Sequence, residues 1–176
     1  NSQKRQELNQ LHAFLDQNAA NLPAIDQAAM LLLQKGFPLE QALKAYQNYL
    51  ERQPSSPNAA YNFAWYLARD GQFESAIRWY QPALERGIDQ PEEVHLNIGN
   101  IYMDHLRDNI KARKAFEAAL ASNPDYPGAY HNLGNLAEQV GDRDQAKACF
   151  QECLELEPGN HTALARLADA HQFKST

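Results

Sequence analysis

The chain has 176 residues, 44% of them apolar or aromatic, a net charge of −6 and a pI near 5.5. Its acidic and basic residues are interspersed, which argues against nucleic acid, whose binders carry a basic stripe, and against an anionic membrane surface. The longest apolar run, Ala28 to Leu33, is far short of the ~20 residues a membrane span needs.

The chain begins with Asn rather than Met, as a fragment or processed form would. No charged-then-apolar leader opens it, so a cytoplasmic location is expected. Leu8, Leu11, Phe14 and Leu15 place an apolar stripe on an N-terminal helix. From residue 22 onward two kinds of helix alternate. The first kind carries Ile25-Ala28-Ala29-Leu32, Ala60-Phe63-Ala64-Leu67, His95-Ile98-Gly99-Tyr102 and Tyr130-Leu133-Gly134-Ala137. The second carries Ala42-Tyr46-Tyr49-Leu50, Ala76-Tyr80-Ala83-Leu84, Ala112-Phe116-Ala119-Leu120 and Ala146-Phe150-Cys153-Leu154. Each set lines one helical face. The second-helix patterns begin 34, 36 and 34 residues apart.

Punctuation supports the division. Gly36, Gly71 and Gly141 stand where a helix ends in the left-handed conformation, and Gly87 suits a helix C-cap. Pro54, Pro124 and Pro158 follow second helices, while Pro57 and Pro127 open first helices. The third unit lacks the turn Gly and has one extra residue in "DHLRDN", so its turn should differ. Pro82 falls inside a helix and should kink it or shift its local register. Leu164, Leu167, Ala168 and His171 suggest the first helix of a fifth, partial unit.

A repeated helix–turn–helix of about 34 residues resembles the tetratricopeptide repeat. "AYHNLGNLAEQVGDRDQAKACFQECLELEPGN", residues 129–160, carries the Tyr, Leu-Gly, Gly, Ala, Phe, Leu and Pro of that pattern. The resemblance implies an all-α, right-handed α-solenoid. It divides the chain into an N-terminal helix (1–21), repeats at 22–56, 57–91, 92–126 and 127–160, and a capping or partial fifth repeat helix (161–176).

"NIGN" at 97–100 and "NLGN" at 132–135 show how one first helix does two jobs. At about 100° per residue, with Tyr130 as zero, Leu133, Gly134 and Ala137 fall within roughly 60°. Asn132 and Asn135 lie at about 200° and 140°. Gly99 and Gly134 therefore belong to the packing face, where a side chain would hold the paired helices apart. The neighbouring asparagines face away.

The resemblance implies that first helices line a concave groove. Asn62, Asn97 and Asn132 then form a ladder with one rung per repeat, extended by Gln27 and Arg166. It is similar to the tetratricopeptide arrays of O-linked N-acetylglucosamine transferase, where such a ladder holds extended peptides. An amide offers both a donor and an acceptor to a peptide backbone. Trp65, Arg69, Asn100 and Asn135 complete the predicted binding face. Trp65 reads as a contact anchor or, equally, as a ring packed on a neighbouring helix. The bland reading of the ladder is a wet polar face.

The predicted function is a non-catalytic scaffold that binds an extended protein or peptide segment. No Gly-rich phosphate loop, nucleophile elbow or His pair at metal spacing is present, so no cofactor or metal is expected. His95 reads as a packed, hydrogen-bonded histidine. Cys149 and Cys153 are the only cysteines and read as small buried fillers in a reducing compartment. "NHT" at Asn160 fits a glycosylation pattern and reads as chance. The cation clamp that some tetratricopeptide domains use on chaperone carboxylates is incomplete, with only Arg69 and Arg166 at outward sites. An alternative is the N-terminal targeting domain of a larger bacterial enzyme, a sulfotransferase or glycosyltransferase, because "ALARLADAHQFKST" resembles the junction before a sulfotransferase domain. Self-association is a third expectation.

Overall fold

The structure, a computed structural model, describes the backbone of residues 1–172 and the side chains through 169. Among these residues it is all-helical. The elements are α1 (Ser2–Gln17), α2 (Leu22–Gln34), α3 (Glu40–Arg52), α4 (Pro57–Arg69), α5 (Phe73–Glu85), α6 (Pro91–Asp104), α7 (Asn109–Ser122), α8 (Pro127–Gln139), α9 (Arg143–Leu156) and α10 (His161–Gln172). They fall into two compact units, Asn1–Asp89 and the part from Gln90 onward. In the first, α1 packs on α2 and α3, α2 pairs with α3, and α4 pairs with α5. In the second, α6 pairs with α7, α8 with α9, and α10 lies on α9. Within each unit neighbouring first helices also touch, α2 with α4 and α6 with α8.

Side-chain caps explain several starts. Asn21, Ser56, Asp108 and Asp142 accept from the backbone N–H three residues on, at 3.0–3.1 Å, which satisfies a donor the helix leaves orphaned. Asn160 does the same for α10, accepting from Ala163 at 3.0 Å. Its amide nitrogen lies 3.3 Å from the Cys153 sulfur. The residue that opens the glycosylation-like triplet is thus a helix cap.

The turns behave as their glycines require. Gly36, Gly71, Gly87 and Gly141 have φ between +70° and +83°. At Gly36 the N–H donates to Leu33, and the next N–H, of Phe37, reaches Leu32. That double bond pattern is the Schellman motif. The third repeat solves the same problem with Arg107, at φ +55°. The N–H groups of His105 and Leu106 both donate to the Ile101 carbonyl, and Asp108 donates to Tyr102. The extra residue is absorbed there. Pro82 is carried inside α5, which continues as one helix to Glu85.

The aromatic residues of the second helices, Tyr46, Tyr80, Phe116 and Phe150, are all fully buried. In the second unit they press on bare backbone. A Cβ added to Gly134 would sit 2.7 Å from both Cε1 and Cζ of Phe150, and one added to Gly99 would sit 2.6 Å from Cδ1 of Phe116. The glycines therefore let the rings lie directly on the first helices.

Two expectations need correction. The buried face of the first helices is wider than the four-residue stripes suggest. Ala59, Tyr66, Val94, Ile101, Ala129 and Leu136 are also buried, and they widen the apolar arc in one direction. His95, Tyr102 and Tyr130, at the other rim, are only half-buried. In α10 the fully buried residue is Ala163, with Leu167 packed beside it. Leu164 is 47% exposed and Ala168 is exposed too. Among the described residues no second helix follows α10 to cover that face. The His171 side chain and residues 173–176 of the tail lie outside the described set.

Candidate functional site

In the first unit the outward face of α2 and α4 is built around one carboxylate. Asp26, a turn along α2 from Met30, is half-buried. Its Oδ1 accepts from the Tyr46 hydroxyl at 2.6 Å and from the Asn62 amide at 2.9 Å. Burial raises the Asp26 pKa, and these two donors oppose the rise. Burial, then the bond to Asp26, raises the pKa of the Tyr46 hydroxyl. Asn62 thus ties its own repeat to the preceding one.

Around Asp26 opens a cavity of about 290 Å³, lined also by Met30, Tyr61, Asn62, Trp65 and Tyr66. Trp65 is half-buried. It meets Tyr66 edge-on, with centroids 4.9 Å apart. The Arg69 guanidinium lies 4.3 Å above the Trp65 ring, a cation–π contact. Tyr66 in turn stacks on Tyr46 at 5.6 Å. Trp65 is both packed and open to the cavity, so its two sequence readings are compatible. Gln27 points elsewhere. It lines a separate apolar cavity of about 300 Å³ with Leu11, Phe14, Ala28 and Leu31, at whose rim Lys35 and Glu7 pair at 3.1 Å.

The second unit groups a more polar set. Asn100, Asn132, Asn135 and Arg166 line one cavity of about 580 Å³ with Asp104 and Glu138. The Asn132 amide donates to Asn100 Oδ1 at 2.8 Å, bridging α8 to α6. Arg166 pairs with Glu138 at 2.6 Å. The Asn135 carbonyl oxygen is buried with no hydrogen-bond partner among the described residues, an uncommon state for a buried acceptor. Asn97 is half-buried on α6 and is not among the residues lining that cavity.

Sequence reasoning put the ladder asparagines on the face away from the paired second helix. It did not foresee that Asn62 and Asn132 spend a donor on the neighbouring first helix. Asp26 and Tyr46 were missed altogether as a pair. The signal available was an acidic residue on a helix otherwise composed of apolar residues, Gln27 and Gln34.

No group of three or more His, Cys, Asp or Glu side chains suited to a metal occurs among the described residues. Cys149 and Cys153 are buried free thiols whose pKa values burial raises, the opposite of an activated nucleophile. No helix among the described residues is long and apolar enough to cross a membrane.

Family models for the tetratricopeptide repeat match residues 27–91, 92–126 and 127–160. Tetratricopeptide repeat protein 8 of Caenorhabditis elegans is 30% identical over 137 residues, 77% of this chain and 27% of that protein. The cytochrome c-type biogenesis protein CycH of Bradyrhizobium diazoefficiens is 29% identical over 129 residues, 69% of this chain and 33% of that protein. The chain therefore spans a third or less of the length of both relatives. Among solved structures, YrrB, described as a TPR protein with an unusual peptide-binding site, superposes with a TM-score of 0.65 at 21% identity, covering 94% of this chain and 84% of that one.

Proposed function

The chain belongs to the tetratricopeptide repeat family, and from that premise we propose that it is a non-catalytic module that captures an extended protein or peptide segment on the outward faces of its first helices. One observation carries the reading. Asn62, Asn97 and Asn132 recur 35 residues apart, each half-buried on a first helix rather than loose on the surface. Two of them line cavities. Asn62 and Asn132 can still pair with a peptide after their bonds to a neighbouring helix are made, because an Asn side chain offers two donors and two lone pairs. Asn62 and Asn132 each have one donation committed, and that commitment fixes the rotamer in advance. Preorganisation of this kind lowers the ordering cost of binding. Trp65 supplies an apolar anchor, and Asn100, Asn135 and Arg166 supply polar contacts. The peptide-binding site described for YrrB, a protein of the same fold, is consistent with this use of the scaffold.

The test is a peptide array probed with the chain and with an Asn62→Ala/Asn97→Ala/Asn132→Ala variant, with thermal melts run in parallel. Recovered peptides should bind the variant at least about tenfold more weakly, the loss of one or two hydrogen bonds. Equal binding of every recovered peptide by a folded variant removes the ladder reading.

A second reading, recruitment of substrate for a larger bacterial enzyme such as a sulfotransferase or glycosyltransferase, is favoured by the small share of its relatives that the chain spans and by the 163–176 tail. An open reading frame that continues past Thr176 into a catalytic domain supports it. An immediate stop codon removes it.

A further inference from the structure

The cavity of the first unit differs in kind from that of the second. Its walls are aromatic and apolar, Met30, Tyr61, Trp65 and Tyr66, and its one charged lining group is the Asp26 carboxylate. Both internal donors to Asp26 land on the same oxygen, Oδ1. Neither donor uses the other oxygen, Oδ2, and Asp26 is only half-buried. A carboxylate held by two donors and left with a free oxygen is a fixed acceptor. Aromatic rings attract a cation placed over their faces, and three of the lining residues are aromatic. Trp65 already shows the preference, since Arg69 sits on it, although Arg69 does not line the cavity.

We propose that the cavity between α2 and α4 receives a cationic side chain, lysine or arginine, of the captured segment, with Asp26 Oδ2 accepting from its N–H and Trp65, Tyr61 and Tyr66 enclosing its stem and charge. This deepens the peptide-capture reading and rests on it. Three properties of the site match a long basic side chain. An apolar wall suits the methylene stem, which such residues bury readily. The opposite charge, the half-buried Asp26 carboxylate, is part of the lining itself. The volume of about 290 Å³ is at the low end of ligand pockets, the right scale for one side chain rather than a whole cofactor. An acidic side chain would meet Asp26 with like charge. A neutral apolar one would strand the partly desolvated carboxylate without a partner, which costs binding.

The test uses the full chain and three blocked amino acids, the N-acetyl methylamides of lysine, arginine and norleucine. Norleucine keeps the stem without the charge. Two-dimensional NMR reports the residues whose signals move. Lysine and arginine should shift the Asp26, Tyr61, Trp65 and Tyr66 signals, and norleucine should bind at least about tenfold more weakly, the worth of one charge-assisted hydrogen bond. Asp26→Asn keeps the Oδ1 acceptor for Tyr46 and Asn62, removes the charge and puts an NH2 donor in place of the Oδ2 acceptor, and it should cost the lysine probe a similar factor. Trp65→Leu is the second variant, chosen so that a failure of Asp26→Asn to fold leaves a decisive arm; it should weaken the cationic probes. The proposal is overturned if norleucine binds as well as lysine, if no probe moves these signals, or if both variants that fold bind lysine like the parent. None of these outcomes touches the array experiment. The ladder can survive without the cation pocket, and its failure with the pocket intact would be equally visible.

Discussion

Gly134→Ala should destabilise the second unit although it improves the helix. The added Cβ would stand 2.7 Å from Cε1 and Cζ of Phe150 and 3.1 Å from Cδ1. Ordinary van der Waals contact between carbons begins near 3.5 Å, so ring and helix must separate by roughly 0.7 Å or more. Phe150 has nowhere to go. It is 1% exposed, wedged among Ala137, Ala146, Cys153 and Ala163, with His131 edge-on at 5.8 Å. Overpacking a well-filled core costs about 1–3 kcal/mol. Replacing Gly by Ala inside a helix returns about 1 kcal/mol. The expected net loss is up to about 2 kcal/mol, read as a lower urea midpoint at unchanged slope by circular dichroism. Phe150→Leu alone should also destabilise, by leaving a void. In the double variant the two losses should fall short of additive by at least about 0.5 kcal/mol, as for residues in contact. If Gly134→Ala matches or exceeds the parent in stability, the close ring approach is not what selects glycine there, and the reasoning fails.

Two further predictions concern backbone and protonation. Gly141→Ala, at φ +82° with open space around the new Cβ, should lower stability by about 1 kcal/mol through the left-handed conformation alone. Arg107→Gly, at φ +55°, should raise it by up to about 1 kcal/mol in the same urea assay, by the same argument reversed. His95 and His131 have lowered pKa values, through burial first and, at His131, also through Arg166. A lowered histidine pKa contributes stability that is present above its unfolded value near 6.5 and lost as pH falls through the folded value. NMR titration should place both midpoints below 6.5, and the urea midpoint should fall on acidification across that window. In a His95→Gln/His131→Gln variant the fall should be shallower.

The repeat architecture was legible because each signal was written several times. Ala42, Ala76, Ala112 and Ala146 begin one pattern on four second helices, and all four are buried. Gly36, Gly71 and Gly141 announced left-handed turns, and they are left-handed. Gly99 and Gly134 were readable as packing positions from helical periodicity alone, and the Phe116 and Phe150 rings rest on them. The turn at Arg107 could be foreseen only as an irregularity, since nothing in the residue type asks for positive φ. The wider buried arc of the first helices was not visible in the four-residue stripes, because it reflects packing against more than one neighbour. Ala129 and Leu136 are as buried as the stripe itself, yet they lie outside it. In α10, Leu164 and Ala168 are exposed on the face that a second helix of the same repeat would cover.

The least legible part was the polar network. Periodicity states which way a side chain points, not which other side chain it meets. Asp26 to Tyr46 and Asp26 to Asn62 link residues 20 and 36 positions apart. A sequence pattern of one helix cannot contain such a bond. The same limit applies to Asn132 and Asn100. The sequence marked both as outward amides and left open that they pair with each other.

Tandem repeats carry a hazard of their own: a second helix can dock on the wrong first helix during folding. The buried hydroxyl of Tyr46 works against that error. Its acceptor, Asp26, is unique to the first repeat, since the equivalent places hold Tyr61, Leu96 and His131. Were α3 to settle on α6, the hydroxyl would face Leu96 and lose its partner, at a cost of about 1–3 kcal/mol. The phenylalanines of the second unit make the complementary choice. Phe116 and Phe150 need a bare glycine beneath them, whereas the places equivalent to Gly99 and Gly134 in the first unit hold Ala29 and Ala64. Polarity thus marks the Tyr46 hairpin, and bulk sets the two Phe-on-Gly hairpins of the second unit apart from the Tyr-on-Ala hairpins of the first.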